Sequence, residues 1–195
     1  MFKLNLLEKT LKSISPLDAE AMKLARDKWD SLVKPIGSLG QLEEMTIKLS
    51  GITGSVDNEL NKKAIVVMCS DNGVVEEGVS SAPQEFTMLL AESMARKITG
   101  VATLAEFVNA DIITVDIGLK GKTDNMNIIN KKIAGGTNNF TKTRAMSCED
   151  AVKSIEIGIE IGDMLFKNNY DIIGAGELGI GNTTTSAAIL SVLGE

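Results

Sequence analysis

Apolar residues follow two rhythms along this chain. In the first third they recur every three or four positions between charged residues, as on one face of a helix. Later they gather into short unbroken runs, as in strands covered on both faces. The first rhythm predicts a short amphipathic helix over residues 2–13. A second helix is expected from Ser15-Pro16-Leu17-Asp18, with Ser15 as N-cap, Pro16 as first helical residue and Asp18 as a first-turn acid. It runs to about Val33, with Leu17, Met22, Leu24, Ala25, Trp29 and Leu32 available for burial. Lys34-Pro35-Ile36-Gly37 breaks it. Ser38-Leu39-Gly40-Gln41 then reads as a capping box opening a third helix to about Ser50. Three helices before any strand predict a helical subdomain over 1–57, ahead of an α/β domain over 58–195.

The second rhythm begins at Ala64-Ile65-Val66-Val67-Met68-Cys69, the first buried strand. A long polar loop follows as far as Gln84 and carries Asp71, Glu76 and Glu77. Helices are expected over about 85–99 and 101–109, then a strand over 111–116. Residues 121–143 are polar and irregular, with a short strand at 127–129. Ser147 caps a long helix to about Phe166, with Ala151, Val152, Ile155, Ile159 and Met164 along it. A third strand covers 170–174 and runs into a glycine loop, and a helix follows over 186–193. Strands alternating with helices of this length predict an α/β fold: a parallel, Rossmann-like sheet with flanking helices.

Composition narrows the chemistry. The 195 residues suffice for one sizeable core and a small appended subdomain. Without a long apolar run or a signal-peptide layout at the N-terminus, the expectation is a cytoplasmic protein with no membrane partner. A net charge of −6 argues against nucleic acid. The chain contains no histidine, which removes His bases, Ser-His and Cys-His pairs, and His metal sites. Cys69 and Cys148 stand far apart and suggest neither a metal motif nor a disulfide. Acid–base work falls to Asp, Glu, Lys or the single Tyr.

The stretch Gly174-Ala175-Gly176-Glu177-Leu178-Gly179-Ile180-Gly181-Asn182-Thr183-Thr184-Thr185 reads as strand, glycine loop and helix start. Such a junction aims backbone N–H groups and a helix N-terminus at an anion. Gly174, Gly176 and Gly179 fit G-x-G-x-x-G, but a dinucleotide site also needs an acid about twenty residues on. Gly176 to Thr183 fits a P-loop without its lysine, which suits a monophosphate held by backbone amides. Glu177 would repel a phosphate at contact and could accept hydrogen bonds from ribose hydroxyls. Together these point to a nucleotide monophosphate. A plain packing turn, a dinucleotide-dependent oxidoreductase and a non-catalytic nucleotide-binding domain remain alternatives. Asp71, Glu76 and Glu77 could hold Mg²⁺ or form a solvated loop with an Asx-turn at Asp71-Asn72-Gly73. With no pyrophosphate to bridge, the metal-free reading is preferred. Ser80, Ser81 and Gln84 can hydrogen-bond a flat heterocycle, and Phe86 is read as core.

Five motifs then follow in order. They are Lys34-Pro35-Ile36-Gly37-Ser38-Leu39-Gly40-Gln41-Leu42-Glu43, the loop over 71–87, Asp116-Ile117-Gly118-Leu119, the segment from Gly136-Thr137-Asn138-Asn139 to Arg144-Ala145-Met146-Ser147, and Gly176 to Thr184. The set resembles the nicotinate-nucleotide–dimethylbenzimidazole phosphoribosyltransferase family. The resemblance implies transfer of ribose 5-phosphate from nicotinate mononucleotide to dimethylbenzimidazole, with inversion to the α-glycoside, in cobalamin lower-ligand synthesis. It implies no metal or cofactor, and a homodimer. It places base binding on Ser80 and Gln84, and ribose and phosphate binding on Glu177, Leu178, Gly179, Ile180, Gly181, Asn182 and Thr183. Many relatives carry His at the position of Asn72, which is given no catalytic role. Members are longer, and the family's general-base glutamate is expected beyond Glu195. The expectation is therefore that these residues alone have little transferase activity.

Overall fold

A computed structural model describes residues 5–194. It divides into a helical unit ending at Leu60 and an α/β unit beginning at Asn61. In the helical unit, α1 (Leu6–Ser13) is capped by Asn5, whose side chain accepts from Glu8 N at 2.8 Å. Residues 2–4 of the expected first helix lie outside the described residues.

The second helix, α2 (Ala19–Ser31), starts later than Ser15-Pro16 suggests. Asp18 is its N-cap: Oδ1 accepts from Glu20 N at 3.0 Å and Ala21 N at 2.9 Å. Asp18 N donates to Gly51 O on the third helix, which fixes the entry of the chain at that point. Only Ala21 and Ala25 of α2 are buried, and Leu24 is half exposed. Small residues face α3 because the two helices approach closely. A Cβ on Gly51 would meet Met22 Cγ at 2.6 Å. The third helix, α3 (Gln41–Thr53), has Gly40 as N-cap and no side-chain cap bond, so the capping box expected at Ser38 does not form. Glu43 does that work instead, accepting from Leu39 N at 3.0 Å, and forms an ion pair with Lys34 Nζ at 2.9 Å. Those contacts hold the Glu43 carboxyl below the usual carboxylate range.

The α/β unit is built on four parallel strands: β1 (Lys63–Ser70), β2 (Ala110–Gly118), β3 (Ile128–Asn130) and β4 (Ile172–Leu178), in the order β3-β2-β1-β4. The central β1 pairs Val66 with Ile113 on one side and with Ala175 on the other. Alternation along β1 feeds two cores. Ala64 and Val66 pack with Ile161 and Leu165 of α6 (Cys148–Lys167). Val67 and Cys69 pack with Ala91 and Met94 of α4 (Phe86–Ala95). A short α5 (Gly100–Phe107) completes the crossover to β2, and α7 (Asn182–Leu193) follows β4.

Two further expectations need correction. The last strand does not stop at Gly174 but continues through Leu178. Pairing with β1 along that length outweighs the weak strand preference of Gly-Ala-Gly. Phe86 is 42% exposed and is not core.

Candidate functional site

Parallel strands bring their carboxyl ends to one side of the sheet. Chain leaves β1 for β2 across the α4 face and reaches β4 across the α6 face. The gap between β1 and β4 is thus a topological switch point, where open α/β sheets hold ligands.

The segment leaving β1 is not a solvated loop. Asp71, Asn72, Gly73 and Val74 are all buried, and Gly73–Glu77 forms a 3-10 turn. Asp71 Oδ2 accepts from Lys120 N at 2.7 Å, and its carbonyl accepts from Thr137 N at 3.0 Å. Gly73 N donates to Thr137 Oγ1 at 3.1 Å. A Cβ at Gly73 would stand 2.5 Å from Asn139 N, so glycine is required for this close approach. Glu76 and Glu77 turn outward to Lys142, at 2.9 and 3.4 Å, and Asn139 Nδ2 donates to Glu77 at 2.6 Å. These partners hold both carboxyls below the usual range. Among the described residues no group of three or more Cys, Asp or Glu could hold a metal ion.

Asn72 stands at the centre of what remains. Its Nδ2 donates to Ile180 O at 3.2 Å and lies 3.5 Å from Ser70 O. Its carbonyl accepts from Gln84 Nε2 at 3.1 Å. Thr185 Oγ1 is 3.2 Å from Asn72 Oδ1 and 2.7 Å from Asn182 O, with one proton for the two.

The glycine turn proper is Gly179-Ile180-Gly181, because Gly174, Gly176 and Glu177 belong to β4. That removes the first two glycines of G-x-G-x-x-G from any loop. Ile180 N donates to Thr87 Oγ1 at 3.0 Å and Asn182 N to Gly179 O at 2.9 Å, so two amides expected to face an anion are already bonded. Gly181 is the N-cap of α7 at φ 83°, with no side-chain cap bond; its carbonyl accepts from Thr184 N at 3.2 Å and Thr185 N at 3.4 Å, and the positive end of the helix dipole points at this turn. Glu177 is exposed and accepts from Asn182 Nδ2 at 2.6 Å; Thr183 N donates to Asn182 Oδ1 at 2.9 Å. Leu178 turns its side chain into the α4-facing core.

On the other side, Ser80 Oγ accepts from Ala82 N at 3.2 Å. Gln84 Oε1 accepts from Lys120 Nζ at 2.5 Å, so the amide keeps one N–H and one lone pair uncommitted. Gln84 and the glycine turn are thus joined through Asn72. Ser80 is placed near the turn only through its neighbour Val79, whose Cγ2 is 3.5 Å from where a Gly181 Cβ would be.

A cleft of about 890 Å³ opens beside this cluster, with Ser70, Asn72, Thr137 and Thr185 as polar lining and Ile189 and Val192 of α7 among the apolar lining. Burial, and next the Asp116 charge, push the Cys69 thiol up to about 12, which excludes it as a nucleophile at neutral pH. Asn72, Thr87 and Lys120 are the members that the sequence pattern did not mark. The available signal, for Asn72 alone, was the run Ser70-Asp71-Asn72 directly after the apolar stretch Ala64 to Cys69.

A family model described as phosphoribosyltransferase matches residues 14–195. The nicotinate-nucleotide–dimethylbenzimidazole phosphoribosyltransferase of Clostridium tetani is 56% identical over 192 residues, covering 98% of this chain and 53% of that protein. The enzyme of the same name from Clostridium perfringens is 48% identical, covering 96% and 52%. A crystal structure of the Thermus thermophilus enzyme of that name aligns with a TM-score of 0.86 at 34% identity, over 91% of this chain and 55% of that one. The chain spans about half the length of the curated relatives it matches.

Proposed function

The chain belongs to the phosphoribosyltransferase family, matched over residues 14–195, and on that premise we propose that it serves transfer of ribose 5-phosphate from nicotinate mononucleotide to dimethylbenzimidazole. The observation that carries this reading is the joining of the Gln84 and Gly179–Gly181 segments through Asn72 at the β1–β4 switch point. Phosphate takes the N-terminal end of α7, with Gly179, Ile180, Gly181 and Thr183 forming its bed. Two of its amides are spoken for, so the helix dipole and first-turn hydroxyls carry more of the anion binding than a backbone cradle would. Glu177, steadied by Asn182, accepts from ribose hydroxyls. Its charge also favours the cationic character that ribose gains as the glycosidic bond breaks. Leu178 contributes through its backbone. Ser80 and the uncommitted half of the Gln84 amide bind the benzimidazole.

Proton removal from the benzimidazole needs a carboxylate raised by an apolar pocket. Among the described residues of the site, Glu76 and Glu77 are moved the other way, Asp71 is engaged with Lys120, and Glu177 is exposed. We assign the general base to none of them and place it outside these 195 residues. Cytoplasmic location and homodimer assembly belong to the same proposal.

Calorimetry and steady-state turnover test it together. The 195 residues are expected to bind nicotinate mononucleotide, with little turnover when dimethylbenzimidazole is added. Full-strength turnover would sink the assignment of the base. Tight NAD binding, with none for the mononucleotide, would favour a dinucleotide-binding domain.

A further inference from the structure

We propose that Asn72 is a positioning residue that sets the shape of the ribose-phosphate turn through its side chain, while its backbone independently positions the base-binding Gln84. The inference rests on the function proposed above for what the turn binds. Its structural half stands alone.

Asn72 is 8% exposed, and its amide is spent on contacts made by the chain. The Nδ2 group donates to Ile180 O, 108 residues away, and lies 3.5 Å from Ser70 O. It thereby ties the turn to the end of β1. The same group packs directly on Gly179: a Cβ there would lie 2.5 Å from Nδ2 and closer still to Ser70 O. Ile180 is held at both ends of its backbone, its N–H by Thr87 and its C=O by Asn72, so both peptide planes flanking Ile180 are pinned. The segment carrying Asn72 is in turn fixed from the opposite side, where Gly136 lies so close that a Cβ would meet Asp71 O at 2.9 Å. Gln84 bonds to the Asn72 carbonyl, not to its side chain. Substituting the side chain should therefore disturb one half of the site and leave the other.

The test uses Asn72→Asp, Asn72→Ser and Asn72→His. Aspartate keeps the shape but sets an oxygen against two carbonyl oxygens. Serine is too short to reach Ile180 O. The imidazole of histidine restores an N–H donor. Amide hydrogen exchange is read over residues 179–186 and over β1–β2. In the Asp and Ser variants, exchange over 179–186 is expected to rise about fivefold or more, as loss of one hydrogen bond implies. The ladder should stay unchanged, and His should restore protection. Unchanged exchange over 179–186, or an equal rise everywhere, overturns the inference, and the Ser variant decides should the Asp variant fail to fold.

Calorimetry on the same proteins separates the two readings. Affinity for nicotinate mononucleotide should fall about tenfold in the Asp variant, with dimethylbenzimidazole affinity unchanged. Equal loss of both ligands overturns the split between side chain and backbone. Failure of the unsubstituted chain to bind the mononucleotide, alongside a positive exchange result, removes the proposed function and leaves the positioning role standing.

Discussion

At position 179 even a methyl group has no room. It would fall well inside contact distance of Ser70 O and 2.5 Å from Asn72 Nδ2, and both partners are anchored. Gly179→Ala is therefore expected to cost about 2–4 kcal/mol of stability, or to displace the turn. Gly174 is the opposite case, since its Cβ would meet Ile65 Cγ1 at an ordinary 3.6 Å. Gly174→Ala should be neutral, or stabilising by about 0.5 kcal/mol, as expected for a strand position with space for the side chain. Denaturant titration of the two variants checks this. A large loss at 174 would restore the dinucleotide fingerprint as the better description of the stretch. Residue identity made the glycines conspicuous in the sequence, but not their different reasons. Gly174 and Gly176 lie in a strand, Gly179 faces a crowded carbonyl, and Gly181 needs its positive φ. Asn72 was harder still to read, because two of its side-chain partners, Ile180 and Thr185, lie 108 and 113 residues away. No local pattern announces such bonds, and Asp-Asn-Gly looks like any turn.

Elements were legible where one local signal dominates. The unbroken apolar run of β1, the Ile112-Ile113 and Val115 positions of β2 and the serine before α6 stand almost where the pattern puts them. At α6 the cap is reciprocal: Ser147 Oγ accepts from Asp150 N at 3.0 Å and lies 2.7 Å from Asp150 Oδ2. Ser147→Ala should destabilise the α/β unit by about 1 kcal/mol. At α2 two local signals compete, and the structure decides for Asp18 over Ser15. Asp18→Ala should cost about 1 kcal/mol in the helical unit, whereas Ser15→Ala should leave it unchanged. Chemical denaturation followed by far-ultraviolet circular dichroism reads all three, and a loss at Ser15 would contradict the cap. The far end of β4 was illegible for a different reason. Gly-Ala-Gly-Glu has little strand preference of its own, and only the ladder with β1 makes it a strand.

For the molecule as a whole, binding and stability are linked. A ligand that binds only the folded α/β unit stabilises it by about 2.7 kcal/mol at about 100 times its Kd. Nicotinate mononucleotide should therefore raise the melting midpoint of that unit by about 5–10 °C, with no comparable shift from NAD. Scanning calorimetry checks it, and an equal or larger shift with NAD would count against the proposed substrate. The fold class was legible at this scale because parallel strands joined by helices leave few arrangements. The order β3-β2-β1-β4 was not, since nothing local says on which side of β1 the last strand will dock.

That order has a consequence for how the chain comes into being. Among the described residues, β1 is the strand synthesised first and also a central one, and its second neighbour, β4, follows only after β2 and β3. At translation rates of about 5–20 residues per second, Asn72 leaves the peptidyl-transferase centre roughly 5–20 s before Ile180. For that interval the most apolar strand of the sheet has one edge unpaired. Ala64 to Cys69 is then the stretch where nascent chains are expected to engage chaperones or mispair, and the Gly179–Gly181 turn takes its place only once β4 has docked on β1.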